Sequence, residues 1–309
     1  MSTWDSVQTP REAADRVSRL TEALWVLVAI ARVARSNGEI DPGVDGVVVE
    51  SGFASRGLDG NLVLAPGMAE LLAQGGRALG ESIVSAMGQA VAAAKGAAGE
   101  SGWNPDDDTL VAQGRASAAA GRLLATTVAS QLVGLSERLA QPGAVMLDVG
   151  TGVAELACAV AEAFPSVQVV GIDVLDRALR LADGTIAAHA LADRVQVRRQ
   201  SVADIDAPET FDLVWLPLIF IRPDIVRAAL PVLHSSLRPD GWLIASVGRV
   251  PGSALASAIA SWQTQLTHGT TLTPEQATQL LHEYGFTDVS IADTPPGMPV
   301  LVAGRRSSN

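Results

Sequence analysis

Ala144–Glu155 reads AVMLDVGTGVAE, and the rest of the chain is arranged around it. Ala144 to Asp148 is an apolar run closed by a carboxylate, which predicts a buried strand with an acid at its tip. Gly150-Thr151-Gly152 then turns the chain into an alanine-rich helix expected to start at about Val153. Glycine lets the main chain approach a ligand with no Cβ in the way, and a helix N-terminus offers unpaired N–H groups and a partial positive charge. The stretch therefore predicts a nucleotide site, and the glycines alone do not say which nucleotide.

The flanking residues narrow the choice. A nicotinamide or flavin dinucleotide fingerprint runs G-x-G-x-x-G/A, and counting from Gly150 puts Glu155 where the third glycine belongs, against close packing and beside a pyrophosphate. A diphosphate would be repelled there. S-adenosylmethionine has no phosphate and carries a sulfonium and an ammonium, which the carboxylate of Asp148 attracts by Coulomb's law. A second acid, Asp173 in VVGID, follows 25 residues after Asp148 at the end of the next apolar run. A carboxylate at a second strand tip can accept both hydroxyls of a ribose.

LDVGTG, then GID, QSVAD, FDLVWLPL and LRPDGWLI stand in an order that resembles the motif series of the class I S-adenosylmethionine-dependent methyltransferases, over roughly the C-terminal two thirds of the chain. Strands at 167–172, 195–199, 211–216 and 242–247 alternate with helices at 176–189 and 224–237, which predicts a parallel sheet with right-handed crossovers. A Pro-started helix after Thr273 and strands at 289–292 and 300–303 add an antiparallel hairpin at the sheet edge. The resemblance implies a doubly wound α/β fold with a mostly parallel seven-stranded sheet. It also implies roles: Gly150, Thr151 and Gly152 for the methionine part of the cofactor, Asp148 near its ammonium, Asp173 for the ribose, and Val174 against the adenine. Ser201 stands where the family often has an acid for the adenine amino group. That leaves Val202 to offer its backbone and Asp204 either to substitute or to cap a turn. Leu216-Pro217-Leu218-Ile219-Phe220 lacks the Asp/Asn-Pro-Pro-aromatic signature of methylases acting on base or glutamine nitrogens. An apolar entrance at Leu216 suits a small, largely apolar acceptor instead.

Bulk properties exclude other classes. The 309 residues allow one large or two unequal domains. A net charge of −11 with no basic block longer than Arg198-Arg199 or Arg305-Arg306 argues against a nucleic acid partner. The single cysteine, Cys158, forms no internal disulfide or zinc set and rules out the three-cysteine cluster of radical S-adenosylmethionine enzymes; no metal is expected. Arg11, Glu12, Asp15 and Arg16 interrupt any apolar leader, and Leu24 to Ala31 is too short to cross a bilayer, so no membrane association and a cytoplasmic location are expected.

The first third reads as mainly helical. Residues 10–35 carry apolar positions at helical spacing, as one helix or two joined near Thr21, stopped at Asn37-Gly38. VVVE at 47–50 and LVLA at 62–65 are β-prone and suggest a hairpin or irregular packing. A helix from Met68 to about Ala94 is weakened at Gly75-Gly76. GAAGESGWNPDDD, 96–108, is the boundary candidate, giving a helical domain at 1–102 for substrate cover or dimerisation and a cofactor domain at 103–309. A helix from Thr109 to Ala140 is expected to lead onto the sheet.

Methyl transfer from a sulfonium needs in-line positioning and exclusion of water, with a general base only for a poorly ionised hydroxyl or carbon acid. His189, His234 and His282 fall on or near helix ends and read as structural. His268 follows the helix inserted at 253–267, where related enzymes build part of the acceptor pocket, and is the candidate base. Trp25, Phe53, Trp103 and Trp262 are candidates for pocket lining. The expected activity is methylation of a small metabolite of secondary-metabolite type at an oxygen, nitrogen or carbon. Two alternatives are an NAD(P)-dependent oxidoreductase on a similar sheet and a non-catalytic, dimerising scaffold.

Overall fold

The computed structural model describes residues 6–36, 42–96, 105–249, 252–292, 294 and 298–308. The chain forms two compact units, Met1–Met87 and Gly88–Asn309. The boundary expected at residue 102, Trp103 and the helix stop at Asn37-Gly38 lie outside the described residues.

In the first unit α1 (Pro10–Arg35) runs unbroken, started by a capping box in which Thr9 and Glu12 satisfy each other's backbone N–H. α2 (Pro42–Glu50) contains the VVVE run, so the strand expected there is a helix. Val44, Val47 and Val48 recur at helical spacing and pack in one cluster with Ala29, Val33 and Phe53, and that packing outweighs valine's β propensity. The hairpin forms one step later, β1 (Ala54–Arg56) against β2 (Leu62–Leu64), with Ala54 opposite Leu64. α3 (Pro66–Ala94) has non-helical backbone at Gly75, where the glycine pair weakens it. The buried carboxylate of Glu81 is held by Arg35 at 3.0 Å.

In the second unit Asp106 caps α4 (Asp107–Leu123) by accepting from the Thr109 N–H at 2.9 Å. The single helix expected over 109–140 is broken. A π turn at Leu124–Val128 leads into α5 (Ala129–Gln131), then Leu132 is extended, Gly134 is left-handed with φ 73°, and α6 (Leu135–Leu139) follows. The break lets Leu132, Leu135 and Leu139 all join the buried cluster of Met146, Leu213 and Trp242. The freed carbonyl of Val133 accepts from the Trp242 indole at 3.3 Å.

The sheet then builds through β3 (Val145–Val149), α7 (Glu155–Ala163), β4 (Gln168–Asp173), α8 (Asp176–Ala188), β5 (Val195–Arg199), β6 (Phe211–Pro217), α9 (Pro223–Ser236), β7 (Leu237–Val247), α10 (Ala254–Thr267), α11 (Pro274–Glu283), β8 (Thr287–Ala292) and β9 (Val300–Arg305). Strand order is β5-β4-β3-β6-β7-β9-β8; the first five strands are parallel, and β9 runs antiparallel to both neighbours. Successive side chains feed opposite faces: Met146 belongs to the core under α4–α7, and Leu147 to the core under α9 and α11. β7 begins at Leu237, earlier than the expected Trp242, because Leu237 pairs with Phe211 before a bulge. At the N-terminal edge the buried carboxylate of Asp212 gathers Arg138 at 3.0 Å, Arg238 at 2.7 Å and the Val145 N–H at 2.9 Å, which ties three strand starts together.

Candidate active site

The glycine turn sits at the tip of β3, with Gly150 at φ 64° and Gly152 at φ 56°, a backbone path that side chains on both would strain. Ala154 is also left-handed, at φ 63°, so α7 starts at Glu155 and not at Val153. Thr151 pins the turn to the sheet. Its N–H donates to the Ile172 carbonyl at 3.0 Å and its hydroxyl to Asp148 Oδ2 at 2.7 Å. Room for this buried side chain exists because its neighbour on β4 is Gly171, where a Cβ would stand 2.7 Å from Thr151 Oγ1 and 2.9 Å from its Cβ and Cγ2.

Asp173, at the tip of β4, uses both carboxylate oxygens: Oδ2 accepts from Gly152 N–H and Oδ1 from Leu175 N–H, each at 2.9 Å. One carboxylate thus braces the glycine turn against the start of α8, with lone pairs to spare for a ligand. Burial raises its pKa, and the backbone donors from Leu175, Gly152 and Val174 oppose that rise. Asp148 is buried more completely. Burial pushes its carboxyl up to about 7, against the Thr151 hydrogen bond and with help from the nearby charge of Asp173.

A cavity of about 470 Å³ opens beyond the carboxyl ends of β3, β4 and β5. Of the expected cofactor residues, Gly150, Gly152, Asp173, Val174, Ser201 and Val202 line it; Asp148, Thr151 and Leu216 are buried and outside its wall. Asp148 therefore bears on the cavity through the turn that Thr151 fixes. Ser201 caps the short turn Val202–Asp204 by accepting from Ala203 N–H at 3.3 Å; Asp204 is exposed in that turn and takes no part in the wall. His268, left-handed at φ 52° as the cap of α10, lines the cavity together with Phe220, Ile221, Arg222 and Thr267.

The other histidines are placed elsewhere. His189 Nδ1 lies 2.6 Å from Glu162 and Nε2 3.5 Å from Glu155, and His234 packs edge-on to Phe286 at 5.0 Å with its pKa lowered by burial. His282 is in the last turn of α11. Trp262 is exposed on α10 outside the cavity wall, Trp25 is exposed on α1, and Phe53 packs in the first unit's cluster. Cys158 is fully buried and its thiol is pushed up to about 12 by burial and the Glu155 charge, which makes it an inert core residue.

The sequence reading missed Leu110, Gln113, Gln200 and Ile225 of the lining. Of these, Gln113 is a polar residue of α4, three positions after Leu110. Its Oε1 is buried with no hydrogen-bond partner among the described residues. The donor set suits a cationic adenosine: an acid at the tip of β4, an amide acceptor, apolar walls, and Glu155 at the head of α7 where a pyrophosphate would need small residues. Among the described residues no group of three or more His, Cys, Asp or Glu side chains can hold a metal, and no helix is long and apolar enough to cross a membrane.

Residues 146–241 match the family described as a methyltransferase domain. The ribosomal protein L11 methyltransferase of Pelotomaculum thermopropionicum is 34% identical over 112 residues, 36% of this chain and 35% of that protein. The demethylspheroidene O-methyltransferase of Rhodobacter capsulatus is 28% identical over 151 residues, 47% of this chain and 37% of that one. The chain thus spans about a third of the length of these curated relatives. An O-methyltransferase family protein of Burkholderia thailandensis, 15% identical, superposes with a TM-score of 0.62 over 98% of this chain and 100% of that chain, so the fold is shared along the whole length. The glycine turn, β3 from Met146 onward and the parallel strands β4, β5 and β6 all lie within the stretch that matches a methyltransferase domain.

Proposed function

We propose that this protein transfers the methyl group of S-adenosylmethionine to a small, largely apolar acceptor. The observation that carries the reading is the make-up of the cavity wall: a carboxylate wired to the glycine turn, together with Phe220, Ile221, Ile225 and His268. In this reading Asp173 accepts from the ribose, Val174 covers the adenine, Ser201 and the Val202 backbone border it, and the Gly150–Gly152 turn holds the methionine portion. Asp148 and Leu216 act from behind the wall, the former by fixing Thr151. Bound S-adenosylmethionine supplies an electrophilic methyl on a sulfonium. The chain's own residues position the acceptor, keep water away with the apolar side of the wall, and, for a hydroxyl acceptor, take its proton on a ring nitrogen of His268. The demethylspheroidene enzyme, which is named for an O-methylation, supports an oxygen acceptor of secondary-metabolite type.

Two finer readings go with this one. Val17, Leu20, Leu24 and Trp25 are all exposed along one side of α1, which favours a homodimer formed through that helix, with 1–102 as the dimerisation or cover domain. A single buried thiol and no opportunity for a disulfide favour a cytoplasmic location. Incubation with methyl-labelled cofactor and a panel of phenolic, enolic and amine metabolites tests the activity: label should move to an apolar hydroxyl compound with stoichiometric S-adenosylhomocysteine. Binding of S-adenosylhomocysteine without transfer to any acceptor would favour the scaffold reading instead.

A further inference from the structure

Gln113 projects from α4 into the cavity wall, and its Oε1 is buried with no hydrogen-bond partner among the described residues. A buried acceptor left unpaired is costly, so in the working protein a donor reaches it. Its surroundings say which end of the cavity that donor occupies. One turn earlier, Leu110 packs in a cluster with Val153 and Ala178. The next residue, Gly114, lies so close to the side chains of Val153 and Glu155 that a Cβ there would collide with Val153. Gln113 therefore belongs to the stretch of α4 that packs against Val153 of the glycine turn and the head of α7. If the turn receives the amino-acid portion of the cofactor, as proposed above, the donor available at that end is the ammonium group.

We infer that the Gln113 side-chain carbonyl is the acceptor for the cofactor's α-ammonium, which makes it a recognition residue for the amino-acid moiety. This rests on the proposed cofactor assignment. A carboxamide suits that role because it accepts from an ammonium without adding a third negative charge beside Asp173 and Asp148, both already held above their ordinary range by burial.

The test compares two probes, S-adenosylhomocysteine and 5′-deoxy-5′-methylthioadenosine, which share the nucleoside and the thioether while only the first has the amino acid. Binding is measured by calorimetry on the full chain for wild type, Gln113→Met, which keeps shape and loses the acceptor, and Gln113→Glu, which keeps an acceptor. Gln113→Met should weaken S-adenosylhomocysteine about 10- to 100-fold, as for a lost hydrogen bond to a charged group, and leave methylthioadenosine within about twofold. Gln113→Glu should retain the preference for the amino-acid probe. The ligand-free melting temperature of Gln113→Met should equal or exceed that of wild type, since an unpaired buried acceptor is removed. Equal losses for both probes, or none for either, overturn the assignment of Gln113 while leaving the cofactor reading intact. A wild type that binds neither probe overturns both, and methylthioadenosine binding shows that each variant is folded.

Discussion

Replacing Gly171 with alanine should disable the site without touching a residue of its wall. The added Cβ would stand 2.7 Å from Thr151 Oγ1 and 2.9 Å from Thr151 Cβ and Cγ2. Thr151 cannot swing aside cheaply, because its hydroxyl is held by Asp148 at 2.7 Å and its N–H by the Ile172 carbonyl at 3.0 Å. Overpacking of this kind costs about 1–3 kcal/mol. Pulling the hydroxyl off a buried carboxylate costs about 1–3 kcal/mol more. The intrinsic gain of alanine over glycine in a strand offsets about 0.5–1 kcal/mol. The net expectation is a loss of about 1–5 kcal/mol, or roughly 2–20 °C in melting temperature for a unit of this size. Urea denaturation of Gly171→Ala, Thr151→Ala and the double variant measures it. The double variant should be more stable than the sum of the single changes by at least about 1 kcal/mol, because Thr151→Ala removes Oγ1 and Cγ2, two of the three atoms that the new Cβ meets. A Gly171→Ala protein within about 0.5 kcal/mol of wild type, or strict additivity, would refute the proposed pinning of the turn.

Asp148, raised from 3.8 to about 7 in the folded protein, holds its proton more tightly there than in the unfolded chain. Its contribution to stability is therefore present below pH 4 and lost as pH rises through about 7. Unfolding free energies between pH 5 and pH 8 should fall in wild type and fall less in Asp148→Asn; parallel slopes would contradict the assignment. In Asp173→Asn a single acceptor oxygen must serve two N–H donors as well as the ribose, so S-adenosylhomocysteine binding should weaken by at least about tenfold, and calorimetry showing less than a threefold change would rule this out. His268→Gln should reduce turnover of a hydroxyl acceptor by about 10²-fold, with cofactor affinity unchanged; turnover within about threefold of wild type would remove His268 as the base.

The cofactor half was legible because its signals are local and periodic. The apolar run into Asp148, the glycine turn and the matching run into Asp173 each fix a strand tip within a few residues, and alternation predicts the parallel pairing observed. Local propensity failed where tertiary packing decided the outcome. VVVE became helix because Val44, Val47 and Val48 share one buried face, and the expected helix over 109–140 broke at Leu132 to place three leucines in the core. Ala154 in a left-handed conformation shows nothing in its side chain to betray the late start of α7. Gln113 was invisible as a site residue because its helix lies well before the glycine turn in sequence and meets it only in the folded chain.

The most direct test is a pair of thermal shifts on the full chain, one with S-adenosylhomocysteine and one with reduced nicotinamide dinucleotides, each at saturating concentration. A ligand present at about 100 times its dissociation constant stabilises the native state by about 2.7 kcal/mol, a rise of several degrees. S-adenosylhomocysteine should give that rise in wild type and at most about half of it in Asp173→Asn, while the dinucleotides give none. A rise with a dinucleotide and none with S-adenosylhomocysteine would contradict the assignment of this cavity.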